Sequence, residues 1–315
     1  MKILVAGATG ALGKQLVPQL VASGHNVVGM TRSASKCEVI LDLGATPVVG
    51  DALDPEAVAR VVAEAEPEVI VHQLTALTGS LDAGEPDRVM ALTNRLRIEA
   101  TDHLLAAGHA VGVRRFVAQS YVGSGLPFAH NGGPVKSEDE PLDLTPPQGM
   151  RCTIEAIRHL EEAVTGADWT EGIVLRYGSF YGPDTSLAPG GEHFELIRQR
   201  KFPLVGNGAG VWSFIHIEDA TEATVAALER GRRGIYHIVD DDPAPVAEWL
   251  PLAATVLGAK PPWRVTRWLG RWLAGEALTV MLTEARGASN AKAKRELDWR
   301  PRHPSWRQGF AEVAA

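Results

Sequence analysis

Seven residues into the chain the sequence reads Gly7-Ala8-Thr9-Gly10-Ala11-Leu12-Gly13. This run stands between a short apolar stretch at residues 2–6 and an amphipathic one at 11–22, and a second apolar stretch follows at 26–30. The order is strand, tight turn, helix, strand. Glycine at every third position has a mechanical reason in such a crossover. One bare residue allows the sharp turn, one lets a diphosphate approach the main chain, and one lets the helix lie close on the strand. The first turn of the helix also offers N–H groups without helical partners to an anion. Gly7, Thr9, Gly10, Ala11, Leu12 and Gly13 are therefore expected to cradle the pyrophosphate of a dinucleotide.

The alternation continues. Strand patterns fall near 47–49, 68–72, 114–118 and 172–176, with helical patterns near 55–65, 86–108 and 151–165 between them. Strands separated by helices imply a parallel sheet, because only a crossover returns the chain to the same end. In the helix at 86–108, Val89, Leu92, Leu96, Leu104 and Leu105 make the apolar face and Gly108 is the expected stop. Residues 122–149 hold five Pro and five Gly with little periodicity, and read as a long connection bordering the ligand. Beyond residue 178 the chain breaks into Gly/Pro-rich turns and short elements, with one apolar run, Ile235 to Val239, expected to rejoin the sheet. The expected fold is a Rossmann-type, doubly wound α/β sheet with a smaller interleaved C-terminal substrate lobe. Residues 1–177, rejoined by 212–240, form the nucleotide-binding domain, and 178–315 mainly the lobe.

Composition narrows the function. The 315 residues carry a net charge of −7, which argues against binding nucleic acid through the overall field. Cys37 and Cys152 are the only cysteines, so no disulfide framework exists and a reducing, cytoplasmic setting is expected. The N-terminus turns to glycine too soon for a signal peptide, and no apolar run is long enough to span a membrane. The expected partner is a small-molecule substrate, without nucleic acid or membrane, and a homodimer is the candidate assembly.

The second strand ends Val28-Gly29-Met30-Thr31-Arg32 and no carboxylate follows to bind the adenosine ribose hydroxyls. Thr31 and Arg32 stand there instead. A guanidinium pairs well with a 2′-phosphate, so the reading favours NADP over NAD.

With these motifs in order, the chain resembles the extended short-chain dehydrogenase/reductase superfamily, in its NAD-dependent epimerase/dehydratase group. Further segments carry the likeness: Val49 to Asp54, Val69 to Ala76, Arg115 to Ser120, Leu175 to Pro183, Phe214 to Ala220 and Lys292 to Pro301. The resemblance implies that Asp51 and Ala52 line the adenine pocket and that Leu74 and Thr75 run under the nicotinamide ribose. It also implies that Asn94, Arg176, Tyr177 and Tyr181 face cofactor or substrate, Asn94 holding a water or a backbone carbonyl. One element is missing. The superfamily uses Tyr-x-x-x-Lys after the fifth strand, where Lys lowers the Tyr pKa for proton exchange with a substrate oxygen. None of the four tyrosines here has Lys four positions on. Setting Glu161 on the acidic residue that follows the family Lys puts Thr153 at the Tyr position and Ile157 at the Lys position.

Tyr121, just past the fifth strand, becomes the first candidate for the proton partner, with Ser120 assisting by a hydrogen bond. Lys136, alone between Lys36 and Lys201, is either a surface residue or a cation folding back on the phenol or on a substrate carboxylate. The leading expectation is an NAD(P)-dependent oxidoreductase moving a hydride to or from a carbonyl/alcohol carbon. The alternatives are a nucleotide-sugar epimerase/dehydratase and a dinucleotide-binding sensor without catalysis. No metal-binding spacing is present, and His216 and Asp219 read as structural or substrate-lining. Trp263, Trp268 and Trp272, alternating with Arg264, Arg267 and Arg271, read as a helix with its Trp face buried and its Arg face wet.

Overall fold

In the computed structural model, which describes residues 1–77, 86–123, 132–143, 145–147 and 149–314, the first apolar stretch is strand β1 (Lys2–Ala6) and helix α1 (Ala11–Ala22) follows the glycine turn. Part of the long connection expected at 122–149 lies outside the described residues. Then come β2 (Asn26–Thr31), β3 (Thr46–Val49), α2 (Pro55–Ala65), β4 (Val69–His72) and α3 (Pro86–Arg95). A π-turn (Leu96–Ala100) joins α3 to α4 (Thr101–Val111), and β5 (Arg115–Tyr121), α5 (Arg151–Gly166) and β6 (Glu171–Tyr177) complete the first part of the chain. Helix α6 (Ile217–Ala226) precedes β7 (Gly234–Ile238), and α7 (Arg267–Thr283) lies in the C-terminal part.

The seven strands form one parallel sheet in the order β7-β6-β5-β4-β1-β2-β3. Helices cover both faces, which is why the strands are apolar runs and not alternating ones. On one face Ile3 and Val5 pack with Leu12, Leu16 and Val17 of α1 and Ala220 and Ala223 of α6. On the other, Leu4 and Ala6 pack with Val58 and Val62 of α2, Leu104 of α4 and Leu160 and Val164 of α5. This is a doubly wound Rossmann-type sheet. The order reverses between β1 and β4, so the cleft beyond their carboxyl ends is the expected ligand site. A third core in the C-terminal half gathers Phe194, Phe202, Trp212, Phe214, Trp249, Trp306 and Phe310, with Trp212 and Trp249 4.9 Å apart between ring centres.

Two local expectations are corrected. The helix does not stop at Gly108 but runs to Val111, where Gly112 takes the left-handed cap (φ 75°). Gly108 is instead a contact point: a Cβ there would stand 3.2 Å from Ile70 and 3.5 Å from Trp169. The tryptophan stripe is not buried either. Trp268 and Trp272 are 71% and 78% exposed, and Trp263 lies beside the Arg200 guanidinium, 3.8 Å from its ring centre. The reason is a break at Gly275 (φ 80°), which parts α7 into two halves. Ala277, Val280 and Leu282 of the second half supply the buried contacts, and the first half projects. Among the described residues, no helix is long and apolar enough to cross a membrane.

Candidate functional site

The glycine turn separates what the protein's own packing demands from what a ligand demands. Gly7 has φ 100°, and a Cβ on it would lie 2.6 Å from the Gln73 carbonyl oxygen, while a Cβ on Gly13 would collide with the Gly7 carbonyl. Both must be glycine for β1, α1 and β4 to meet. Gly10 differs. A Cβ there meets nothing closer than 3.4 Å, so the fold alone tolerates a side chain. Gly10 caps α1 from extended backbone, no side chain occupies the cap, and no acidic residue stands in the first turn. The bare Gly10 edge and the N–H groups of Ala11, Leu12 and Gly13 therefore form a cradle whose emptiness of side chains fits a coenzyme pyrophosphate. Thr9 flanks it, half-buried.

At the end of β2 the Thr31 hydroxyl is buried and accepts the Ser33 N–H at 3.2 Å, which bends the chain outward. Arg32 is exposed beside Ser33 and Ser35, whose hydroxyls are 2.8 Å apart, and Lys36 follows. Asp51 after β3 accepts the Leu53 N–H at 3.0 Å, and Ala52 is buried with its carbonyl bonded to the His103 ring.

At the end of β4, His72 Nδ1 accepts the Leu74 N–H at 3.3 Å, so its Nε2 carries the proton and donates to Thr101 Oγ1 at 3.1 Å. Burial holds this imidazole neutral, at about 4. The ring thus fixes the main chain at Leu74, just past the end of β4.

The start of α5 is where the family's acid–base pair would stand. Thr153 is buried, with its hydroxyl donating to Asp87 at 3.1 Å and accepting from Asn94 Nδ2 at 3.1 Å. Ile157 is buried in the apolar core. Asn94 joins Thr153 to Arg97, whose Nη1 donates to Asn94 Oδ1 at 3.1 Å. One strand further, parallel register sets Ser120 beside Arg176, and Arg176 beside His237. All three turn to Glu161 or its partner. Ser120 donates to Glu161 at 2.8 Å, Arg176 grips the same carboxylate at 2.6 and 2.7 Å, and Arg176 Nη1 lies 3.3 Å from His237 Nε2.

This geometry corrects four expectations. Arg176 is 2% exposed and committed to Glu161, so it supports the sheet end and does not reach into the cleft. Tyr177 points to the opposite face, where its hydroxyl meets Thr224 Oγ1 at 2.7 Å and accepts from Gln73 at 3.3 Å, and burial pushes the phenol upward. Ser120 is buried on Glu161 and does not face a substrate. Tyr181 is buried against the His216 and Phe310 rings.

Tyr121 alone of the tyrosines stays half-open at the strand end, with its hydroxyl 3.2 Å from Ser179 Oγ. Lys136 is not a surface residue. Its two-residue strand (Val135–Lys136) pairs with Gly287–Ala288, and the side chain is buried among Arg286, Glu140, Asp143 and Arg176. Burial first, then the Arg286 charge, bring the amine down to about 7.

Asp219 is fully buried and accepts the Arg302 and His303 N–H groups at 2.8 and 2.9 Å, which ties the C-terminal segment to α6. His216, Glu218 and His303 come within 4.8 Å of one another through the fold, although no spacing in the sequence announces it. The two imidazoles lie 3.9 Å apart between ring centres, tilted by 31°.

The sequence over residues 3–239 matches the family described as NAD dependent epimerase/dehydratase. A "3-diazoavenalumate denitrifying reductase" from Streptomyces sp. is 46% identical over 311 residues, covering 98% of this chain and 99% of the relative. A farnesyl-dihydroquinoline-oxide ketoreductase from Stigmatella aurantiaca is 27% identical over 82% of this chain and 74% of its own length. Among solved structures, UDP-glucose 4-epimerase of Thermotoga maritima with UDP-glucose superposes with a TM-score of 0.77 at 22% identity, covering 100% of this chain and 97% of the other.

Proposed function

We propose that this chain, which belongs to the NAD-dependent epimerase/dehydratase family and is an NAD(P)-dependent oxidoreductase, is an NADPH-using reductase that delivers hydride to an electrophilic carbon of a small organic substrate, of the diazo class. The observation that carries this reading is the start of α5, where Thr153 and Ile157 occupy the positions of the acid–base pair. Reduction of a ketone takes up a proton with each hydride, and that proton needs a donor. Displacement of dinitrogen from a diazonium carbon does not. The C–N bond breaks with its electron pair leaving on N2, the hydride pair forms the new C–H bond, and no proton is gained or lost. A helix without Tyr and Lys suits that chemistry, and the relative sharing 46% of the sequence is named for it.

The coenzyme, when bound, supplies the hydride; the chain's residues bind and orient. Ala11 to Gly13 hold the diphosphate on backbone N–H groups, and Leu74, fixed by His72, and Thr75 position the ribose. Arg32 with Ser33, Ser35 and Lys36 offers a 2′-phosphate two cations and two hydroxyls, which supports NADP over NAD.

The test is incubation with NADPH and 2-diazophenol, which should release one N2 for each NADPH consumed. NADPH loss with ketones alone, or with neither, would overturn the diazo assignment.

A second reading is carbonyl reduction with Tyr121 as the proton donor, favoured by the half-open phenol at the end of β5. Tyr121→Phe separates the two. It should cut ketone turnover by about 100-fold or more and leave turnover of the diazo substrate unchanged.

A further inference from the structure

The π-turn between α3 and α4 carries a charge that no motif of the sequence announces. Arg97 is 7% exposed. A guanidinium has five N–H donors and no acceptor, and when buried it ordinarily satisfies them against a carboxylate or several carbonyls. Arg97 makes one hydrogen bond among the described residues, Nη1 to Asn94 Oδ1, and no carboxylate comes within ion-pair distance there. The carboxylate whose charge acts on it, Glu161, is committed to Arg176. Its own charge in turn bears on His72. The guanidinium thus shares Asn94 with Thr153 at the start of α5, and lies within electrostatic range of His72 at the end of β4 and of Tyr121 at the end of β5. A π-turn widens a helix by one residue per turn and is frequent where a side chain must be placed for function. Here it sets Arg97 one turn beyond Asn94, where Asn94 can tether it.

We propose that Arg97 is an anion-recognition residue of the reaction centre, whose unused N–H donors bind a phenolate or carboxylate oxygen of the substrate. This rests on the cleft being the reductase site argued above, but not on the diazo chemistry. A substrate oxygen that carries negative charge there completes a guanidinium to which the described residues offer one acceptor, Asn94 Oδ1. It also gives the site a fixed cation although Ile157 supplies none. A buried charge-assisted pair of this kind discriminates strongly against the neutral analogue, since the neutral molecule leaves the cation unmatched.

The experiment is a binding measurement with 4-nitrophenol, whose phenolate is coloured and whose phenol is not. The probe is titrated onto the folded protein with saturating NADP+ and again without it, across pH. The wild type should prefer the phenolate by about tenfold or more, seen as a downward shift of about one unit or more in the probe's apparent pKa. Arg97→Gln should abolish the preference. Arg97→Lys keeps the charge but loses the fork; it should reduce the preference at least about threefold with an unchanged melting temperature, and it serves if the Gln variant does not fold. Equal binding of phenol and phenolate by the wild type, a preference that survives in the Gln variant, or an undiminished preference in the Lys variant, would overturn the proposal. A wild type that binds phenolate selectively but never oxidises NADPH would sink the reductase reading and leave the anion site standing.

Discussion

The Glu161 carboxylate and the Arg176 guanidinium close a two-point pair, Oε2 to Nη2 at 2.6 Å and Oε1 to Nε at 2.7 Å, with 3–4% of either side chain open to solvent. Ser120 adds a third hydrogen bond to the same carboxylate. Charges buried to this degree contribute little as a matched pair, yet leaving one of them alone is costly. Arg176→Met or Glu161→Gln alone should therefore destabilise the protein by about 3–5 kcal/mol in denaturant unfolding. The double variant Glu161→Leu/Arg176→Met should lose less than either single change. A double variant as weak as the sum of the singles would show that the two side chains do not couple.

The glycine turn makes a sharper distinction. Gly13→Ala should unfold the protein or lower its melting temperature steeply, because the Cβ meets main chain of the same turn. Gly10→Ala should leave the melting temperature of the coenzyme-free protein nearly unchanged and weaken coenzyme binding at least about tenfold, or about 1.4 kcal/mol. Calorimetric titration with NADPH checks it. Unchanged affinity would mean that the diphosphate does not approach Gly10.

The proposed preference for NADP rests on the end of β2. Arg32→Asp replaces a cation with the carboxylate that binds ribose hydroxyls. The variant should lose NADPH affinity by about tenfold or more and gain NADH affinity. Equal affinity for the two coenzymes in the wild type would remove Arg32 from the pocket.

Lys136 gives a pH signature. Its amine is held at about 7 in the folded protein, chiefly by burial, against its ordinary value of 10.5 in the unfolded chain. Between those values the unfolded state binds the extra proton, so this group makes stability rise with pH from about 7 to about 10. Below 7 the full cost of burying the ammonium is present. Lys136→Met should flatten that rise, and unfolding curves across the window would show it. An identical slope in the variant would mean the amine finds compensation in the fold.

Much of the fold was legible from local patterns. The seven-stranded parallel sheet follows from apolar runs separated by helical ones, and the dinucleotide turn from the spacing of three glycines. The end of α4 was misplaced because Gly108 and Gly112 are equal in sequence, and only the contact of Gly108 with Ile70 and Trp169 tells them apart. The tryptophan stripe was misread because amphipathicity gives a helix two faces but not the one that is covered; the break at Gly275 decides that. At the site, the loss of Tyr and Lys was plain from the residues at 153 and 157. Arg97 was not. Its place depends on a π-turn and on a tether three residues back, neither of which has a periodicity to read. Arg176 and Tyr177 are neighbours on one strand and face opposite ways, and each is committed on its own face to a partner distant in sequence, Glu161 for Arg176 and Thr224 for Tyr177.

The place of β7 bears on how the protein is made. It caps the row that sets Ser120, Arg176 and His237 side by side, yet it leaves the ribosome only after the residues between 178 and 233 have been synthesised. Until then β6 is a bare, highly apolar rim open to pairing with any passing chain. Nascent fragments ending before residue 234 should consequently be the ones that cling to chaperones or clump.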